Sequence, residues 1–196
     1  PPVTAGYKET EPLHQDLAKA AQHMADAGYT EKNADGFYVN SSGEVCAFAL
    51  TCNAAKEAHV GYAELVKTQL EDFGIVVELE TLDADSYNAK TSNKFSGNNV
   101  TMEAAIYGYT AAGMGMKNGL ATIYVDGTHP VQGGCQVFDE GFQAILAEMS
   151  AAKTLDEYSA AAGEMQDWYA AHMPFIALYW DSQQLAHSAA YENFTV

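Results

Sequence analysis

Residues 58–82, AHVGYAELVKTQLEDFGIVVELETL, constrain the fold more than any other stretch of the chain. Tyr62, Leu65, Val66, Gln69, Leu70 and Phe73 recur at helical spacing, which puts the apolar members on one face. Gly74 follows at once, where a helix end calls for a residue that can turn left-handed. Ile75, Val77 and Leu79 then alternate with Val76, Glu78 and Glu80, the pattern of a strand with one buried face and acids on the outer one. A helix, a one-residue stop and a strand predict an α/β core.

The 196 residues suffice for one good core or two small ones, and 48% hydrophobic against 18% charged residues fits a globular chain. Twenty-six acids face nine cations, a net charge of −17, and every cation is lysine. Nucleic acid is excluded as a natural partner, because neutralising phosphates needs clustered Lys and Arg. Without arginine the usual bidentate clamp for a carboxylate or phosphate is also missing, so an anionic ligand must rely on helix N-termini and lysine. No apolar run approaches the roughly 20 residues that span a bilayer. The opening Pro1-Pro2-Val3 carries no signal-peptide pattern, as expected of a mature product or of a piece of something larger. Of the three cysteines, Cys46 and Cys52 fall on one strand too far apart to bridge, whereas Cys52–Cys135 is geometrically open.

Leu13, Leu17, Ala21, Met24 and Ala27 form a first helical stripe closed by Gly28. Residues 29–44 are rich in turn formers around Phe37-Tyr38-Val39 and predict a small hairpin leading into a strand over 45–51. Asp83 is placed to cap a short helix. Residues 102–107 and 120–125 read as strands around a glycine- and methionine-rich loop over 108–119. Phe138, Phe142, Ile145, Leu146 and Met149 share one helical face. Thr154-Leu155-Asp156-Glu157 is a capping box for a helix carrying Leu155, Tyr158, Met165, Trp168 and Tyr169, which must end before Pro174. Residues 175–179 then read as a last buried strand. The alternation predicts a mixed, mostly parallel sheet flanked by helices on both faces, in a single domain over 1–196.

Several of these segments resemble one family in order. Residues 17–29, LAKAAQHMADAGY, are similar to the A-x-x-L-L-x-E-A-G-Y helix of the extracellular solute-binding proteins of family 5. Asp35-Gly36-Phe37, the strand ending Leu50-Thr51 and the helix–Gly74–strand unit follow as in that family. Residues 103–109, EAAIYGY, resemble its D-M-A-L-Y-G-W strand, and residues 165–179 its A-Q-x-I-L…P-x-I-P-L-Y ending. The resemblance covers roughly residues 13–195. It implies one lobe of a type II periplasmic-binding-protein-like fold, the second lobe of a two-lobed receptor. The first lobe would lie upstream, with Pro1-Pro2 near the hinge crossing. Its members are the peptide, dipeptide and nickel receptors of ABC importers.

The family likeness implies a ligand held between lobes against loops at the C-terminal ends of the strands, as in open α/β sheets generally. The candidate ligand contacts are Cys52, Asn53, Tyr109, Thr110, Ala112 and Met114. Tyr109 stands where relatives place a cleft aromatic, and contact with ligand or packing on its own loop are both open. Peptide-binding relatives follow that aromatic with an acid that anchors the peptide amine. Thr110-Ala111-Ala112-Gly113 lacks it, so a partly apolar or uncharged ligand fits better. Asn53 to Lys56, at a helix start, reads as an ordinary N-cap ahead of an anion site. Glu31 to Gly36 echoes a calcium loop, but position twelve is Ser42 instead of Glu. Met114, Met116, His129 and Cys135 have no spacing that makes them a metal set, and no metal or cofactor is expected. His14, His23, His59, His172 and His187 read as surface or internally satisfied histidines.

No G-x-S-x-G, P-loop, H-E-x-x-H or strand-linked GxGxxG is present, so no enzyme is expected. The resemblance implies a substrate-binding lobe that captures a peptide-like or other small solute by closing on it, with an ABC permease and its own first lobe as partners. Such a protein would be extracellular or periplasmic and lipid-anchored through its N-terminus. The alternative is a ligand-sensing effector domain of a regulator with a related lobe. The two readings differ in what precedes the chain.

Overall fold

The computed structural model describes residues 6–9, 14–108, 127–128 and 134–179. Helix α1 (Leu17–Asp26) starts at Asp16, whose carboxylate accepts the Lys19 N–H at 2.9 Å. Its apolar stripe is only half-covered, and Leu17 stands exposed. Strands β1 (Tyr29–Lys32) and β2 (Tyr38–Asn40) form the expected antiparallel hairpin, and a bridge from Val39 to Val45 leads onward. Strand β3 (Ala47–Asn53) is the centre of a three-stranded parallel sheet, between β4 (Val76–Leu82) and β5 (Ala104–Ala105).

Helix α2 (Glu57–Phe73) makes the crossover from β3 to β4. It ends on Gly74 at φ +114°, a conformation that costs an L side chain heavily. Space excludes one as well, since an added Cβ would lie 2.8 Å from the Gly36 carbonyl oxygen. Lys32 reinforces the same end: its ammonium donates to the Phe73 carbonyl at 2.6 Å and lies over the Tyr38 ring. The underside of α2 meets the sheet through Leu50, Cys52, Ala63, Val77 and Ile106, with Phe48, Val66, Leu70 and Leu79 around them.

Helix α3 (Ala84–Thr91) begins where Asp83 caps it through the Asp85 and Ser86 amides, and a single turn, α4 (Asn93–Ser96), follows. Helices α5 (Glu140–Ala151) and α6 (Leu155–His172) pack as an antiparallel pair over a second core of Phe142, Leu146, Met149, Ala161, Ala162 and Met165. The Thr154–Glu157 capping box opens α6, and Met173 in the left-handed region closes it one residue before Pro174. Residues 6–9 lie along α6. The Gln166 amide brackets that backbone, donating to the Gly6 carbonyl and accepting from the Lys8 N–H, both at 2.9 Å.

Three expectations need correction: the strand over 175–179, the length of the strand over 102–107 and the place of Phe138. Residues 175–179 are not a buried strand: no strand pairs with them among the described residues, and Ile176 and Leu178 are 59% and 48% exposed. Tyr179 instead stacks on Tyr62 of α2 at 4.2 Å. The 102–107 strand shrinks to two paired residues, because β3 offers a parallel partner only opposite Leu50 and Thr51. Glu80, placed on the outer face by the strand alternation, is engaged there: the Thr51 hydroxyl donates to it at 2.7 Å and Lys90 pairs with it. Phe138 precedes α5 and is exposed, as is Leu155 at the first position of α6. The predicted strand over 120–125 lies outside the described residues. All three cysteines are free, so Cys52–Cys135 is not bridged.

Candidate functional site

At the C-terminal end of β3 the chain turns tightly before α2. The Asn53 side-chain oxygen accepts the Ala55 N–H at 2.9 Å, and the Lys56 N–H bonds the Asn53 carbonyl at 3.0 Å. That turn uses Asn53 locally, so it does not cap the helix. Lys56 holds the N-cap position, and no side chain caps it. The expected ordinary N-cap is therefore absent, and the first turn of α2 keeps its positive dipole end with a lysine beside it.

Across the cleft, the chain leaving β5 is held at three successive points. The Ile106 N–H bonds the Thr51 carbonyl at 2.9 Å, extending the parallel ladder by one step. The Tyr87 hydroxyl of α3 donates to the Ile106 carbonyl at 2.7 Å. The Tyr107 hydroxyl donates to the Thr91 carbonyl, and the Tyr87 and Tyr107 rings meet edge to face, 5.7 Å apart. Gly108 follows, directly under the α2 N-terminus. A Cβ placed there would lie 3.0 Å from His59 Nε2 and 3.9 Å from Lys56 Nζ.

These elements enclose a cleft of about 160 Å³ lined by Asn53, Lys56, His59, Tyr87, Asn88, Tyr107 and Gly108. Its walls carry amide, phenol and imidazole groups and the Lys56 ammonium, and among the described residues no carboxylate lines it. Such a lining can hold a polar or anionic end of a small molecule by hydrogen bonds and one ammonium. The nearby Glu80 carboxyl is held below its ordinary range, chiefly by the Lys90 ammonium and then by the Thr51 hydroxyl. It belongs to the β3–β4–α3 scaffold, where it steadies α3 and with it Tyr87 and Asn88.

Of the residues singled out in the sequence, Asn53 lies on the cleft and Cys52 beside it does not. Cys52 is fully buried in the sheet–α2 core, its sulfur 3.5 Å from the Thr81 hydroxyl. Strand alternation explains the split, because neighbours on β3 point to opposite faces. Tyr109, Thr110, Ala112 and Met114 lie outside the described residues. His59, taken from sequence as a surface or satisfied residue, is only 8% exposed and lines the cleft. Lys56, Tyr87, Asn88, Tyr107 and Gly108 join it. The signal that reaches them is the rule placing ligands at strand C-termini, extended to the helices that start and end there. Among the described residues no three His, Cys, Asp or Glu side chains come together as a metal set.

Comparison with protein families bears on the chain as a whole. Residues 1–128 match the model for bacterial extracellular solute-binding proteins, family 5, middle part. The chain belongs to this family. A probable ABC transporter-binding protein of Deinococcus radiodurans is 25% identical over 112 residues, 55% of this chain and 19% of that protein. Among solved family-5-like structures, the oligopeptide-binding protein AppA of Bacillus subtilis, in complex with a nonapeptide, superposes with a TM-score of 0.73 at 17% identity, covering 89% of this chain and 34% of AppA. NikZ of Campylobacter jejuni, in complex with Ni(L-His), gives a TM-score of 0.67 at 15% identity over 81% of this chain and 31% of NikZ. The two structural likenesses show the fold, an α/β architecture, and this chain spans about a third of the length of those solved structures. No helix among the described residues is long and apolar enough to cross a membrane.

Proposed function

We propose that residues 1–196 form one lobe of a two-lobed solute receptor for an ABC importer, and that the cleft at the end of β3 holds part of the solute. The observation that carries this reading is the position of the cleft, where β3, the segment after β5 and the uncapped start of α2 converge. Family membership and the relatives described as ABC transporter binding proteins support a binding role over a catalytic one. In this reading the protein works outside the cytoplasmic membrane, tethered by a lipid anchor, and a permease recognises the closed form. The solute is peptide-like or another small molecule, with a polar or anionic group facing Lys56 and Asn53 and its remainder against Tyr109, Thr110, Ala112 and Met114.

The test is an NMR titration of the chain with a nonapeptide and, separately, with Ni(L-His), the two ligand types present in the structural relatives. A solute that belongs to this cleft shifts the amides of Asn53, Lys56, His59 and Gly108. Because Lys56 is exposed, Lys56→Ala should weaken an anionic solute by about fivefold at most. Shifts confined to the α5–α6 core would refute the assignment of the site.

A further inference from the structure

We propose that His59 and Gly108 are a matched pair that sets the depth of the cleft and the path of the backbone through Tyr107 and Gly108. The proposal rests on reading the cleft as the solute site, but it is argued from contacts that need no solute. Gly108 does not owe its identity to backbone conformation, for its φ lies outside the left-handed region. The reason is contact: an added Cβ would meet His59 Nε2 at 3.0 Å and Cε1 at 3.1 Å, closer than methyl groups ordinarily come to ring atoms.

The ring has little room to give way. His59 is more than nine-tenths buried, in the first turn of a 17-residue helix whose underside is fixed on β3 and β4. The chain opposite is held as firmly, since Ile106 is bonded through both its N–H and its carbonyl and Tyr107 through its hydroxyl. A side chain at 108 must therefore push either the imidazole or the backbone leading to Tyr109. With glycine there, the imidazole edge and the Lys56 ammonium both lie within 4 Å of the point a Cβ would occupy. His59 is thus a positioning residue acting through Gly108: it fixes how far the floor of the cleft lies from Lys56, and so what size of polar group fits beneath it.

A double-mutant cycle without ligand tests this. Gly108→Ala should lower Tm by about 4 °C, the effect of modest overpacking in a domain of this size, and should move the Tyr107 amide resonance. In a His59→Asn background, where the shorter side chain leaves room for the methyl, the same substitution should cost under about 1 °C and leave the Tyr107 resonance near its native position. His59→Ala provides a second background if the asparagine variant folds poorly. Equal costs in the native and His59-substituted backgrounds, or an unmoved Tyr107 resonance in Gly108→Ala, would overturn the pairing. Because no solute is added, failure here is separate from failure of the receptor reading, which the titration decides.

Discussion

Gly74 and Glu80 show how single residues hold the scaffold beneath the cleft. Gly74 combines a positive φ with a backbone carbonyl 2.8 Å from where a Cβ would sit, so Gly74→Ala has no inexpensive solution. We expect a loss of about 1–3 kcal/mol, read as a lower urea midpoint with an unchanged m-value. Glu80 makes its contribution through charge. Its folded-state pKa is depressed, so the stability it supplies is present above the unfolded value near 4.5 and is lost as pH falls through the folded value. The stability difference between the native chain and Glu80→Gln, measured by urea titration, should therefore be largest at neutral pH and shrink below pH 4.5. A difference that grows on acidification would contradict the assigned Lys90 and Thr51 partners. The glycine stop was legible in the sequence because it sat directly after an apolar helical stripe. The role of Glu80 was not, since strand alternation gives its face but not the lysine ten residues on that turns back to meet it.

At the scale of elements, the chain divides its apolar surface between two cores. One seals α2 onto the sheet, and the other joins α5 to α6. The second depends on Phe142, fully buried and 4.6 Å from the Trp168 ring. Phe142→Ala should cost about 3–5 kcal/mol, detectable by thermal or urea unfolding, while leaving the amide shifts around the β3–α2 turn unchanged. Simultaneous movement of both regions would mean that the cores are coupled more tightly than their separate residue sets indicate. Helices were the easiest elements to read, because Asp83 and the Thr154–Glu157 box mark their starts through purely local chemistry. The strands 102–107 and 175–179 were over-read for the opposite reason. An apolar run of five or six residues is compatible with a strand, but whether it becomes one depends on a partner edge that sequence does not supply.

For the whole molecule, the family and its α/β architecture were legible in the order of several weak motifs, none of them decisive alone. The candidate site was legible only in part. Asn53 followed from the end of a strand, whereas His59 and Gly108 came into view only when α2 and the segment after β5 were placed face to face. Lys56 stands out at this scale because the chain carries a net charge of −17 and has no arginine, so a lysine lining a cleft without a carboxylate among its described residues is a local exception to the prevailing sign. On the proposed reading one lobe offers a solute only part of its contacts, so binding by these residues alone should be weak, with a dissociation constant of about 1 mM. The most direct measurement is the NMR titration of the 196-residue chain with the nonapeptide and with Ni(L-His), followed by calorimetry. The account predicts weak binding of one of them, with shifts concentrated at Asn53, Lys56, His59, Tyr107 and Gly108. Submicromolar binding by this chain alone, or shifts that avoid the cleft, would contradict it.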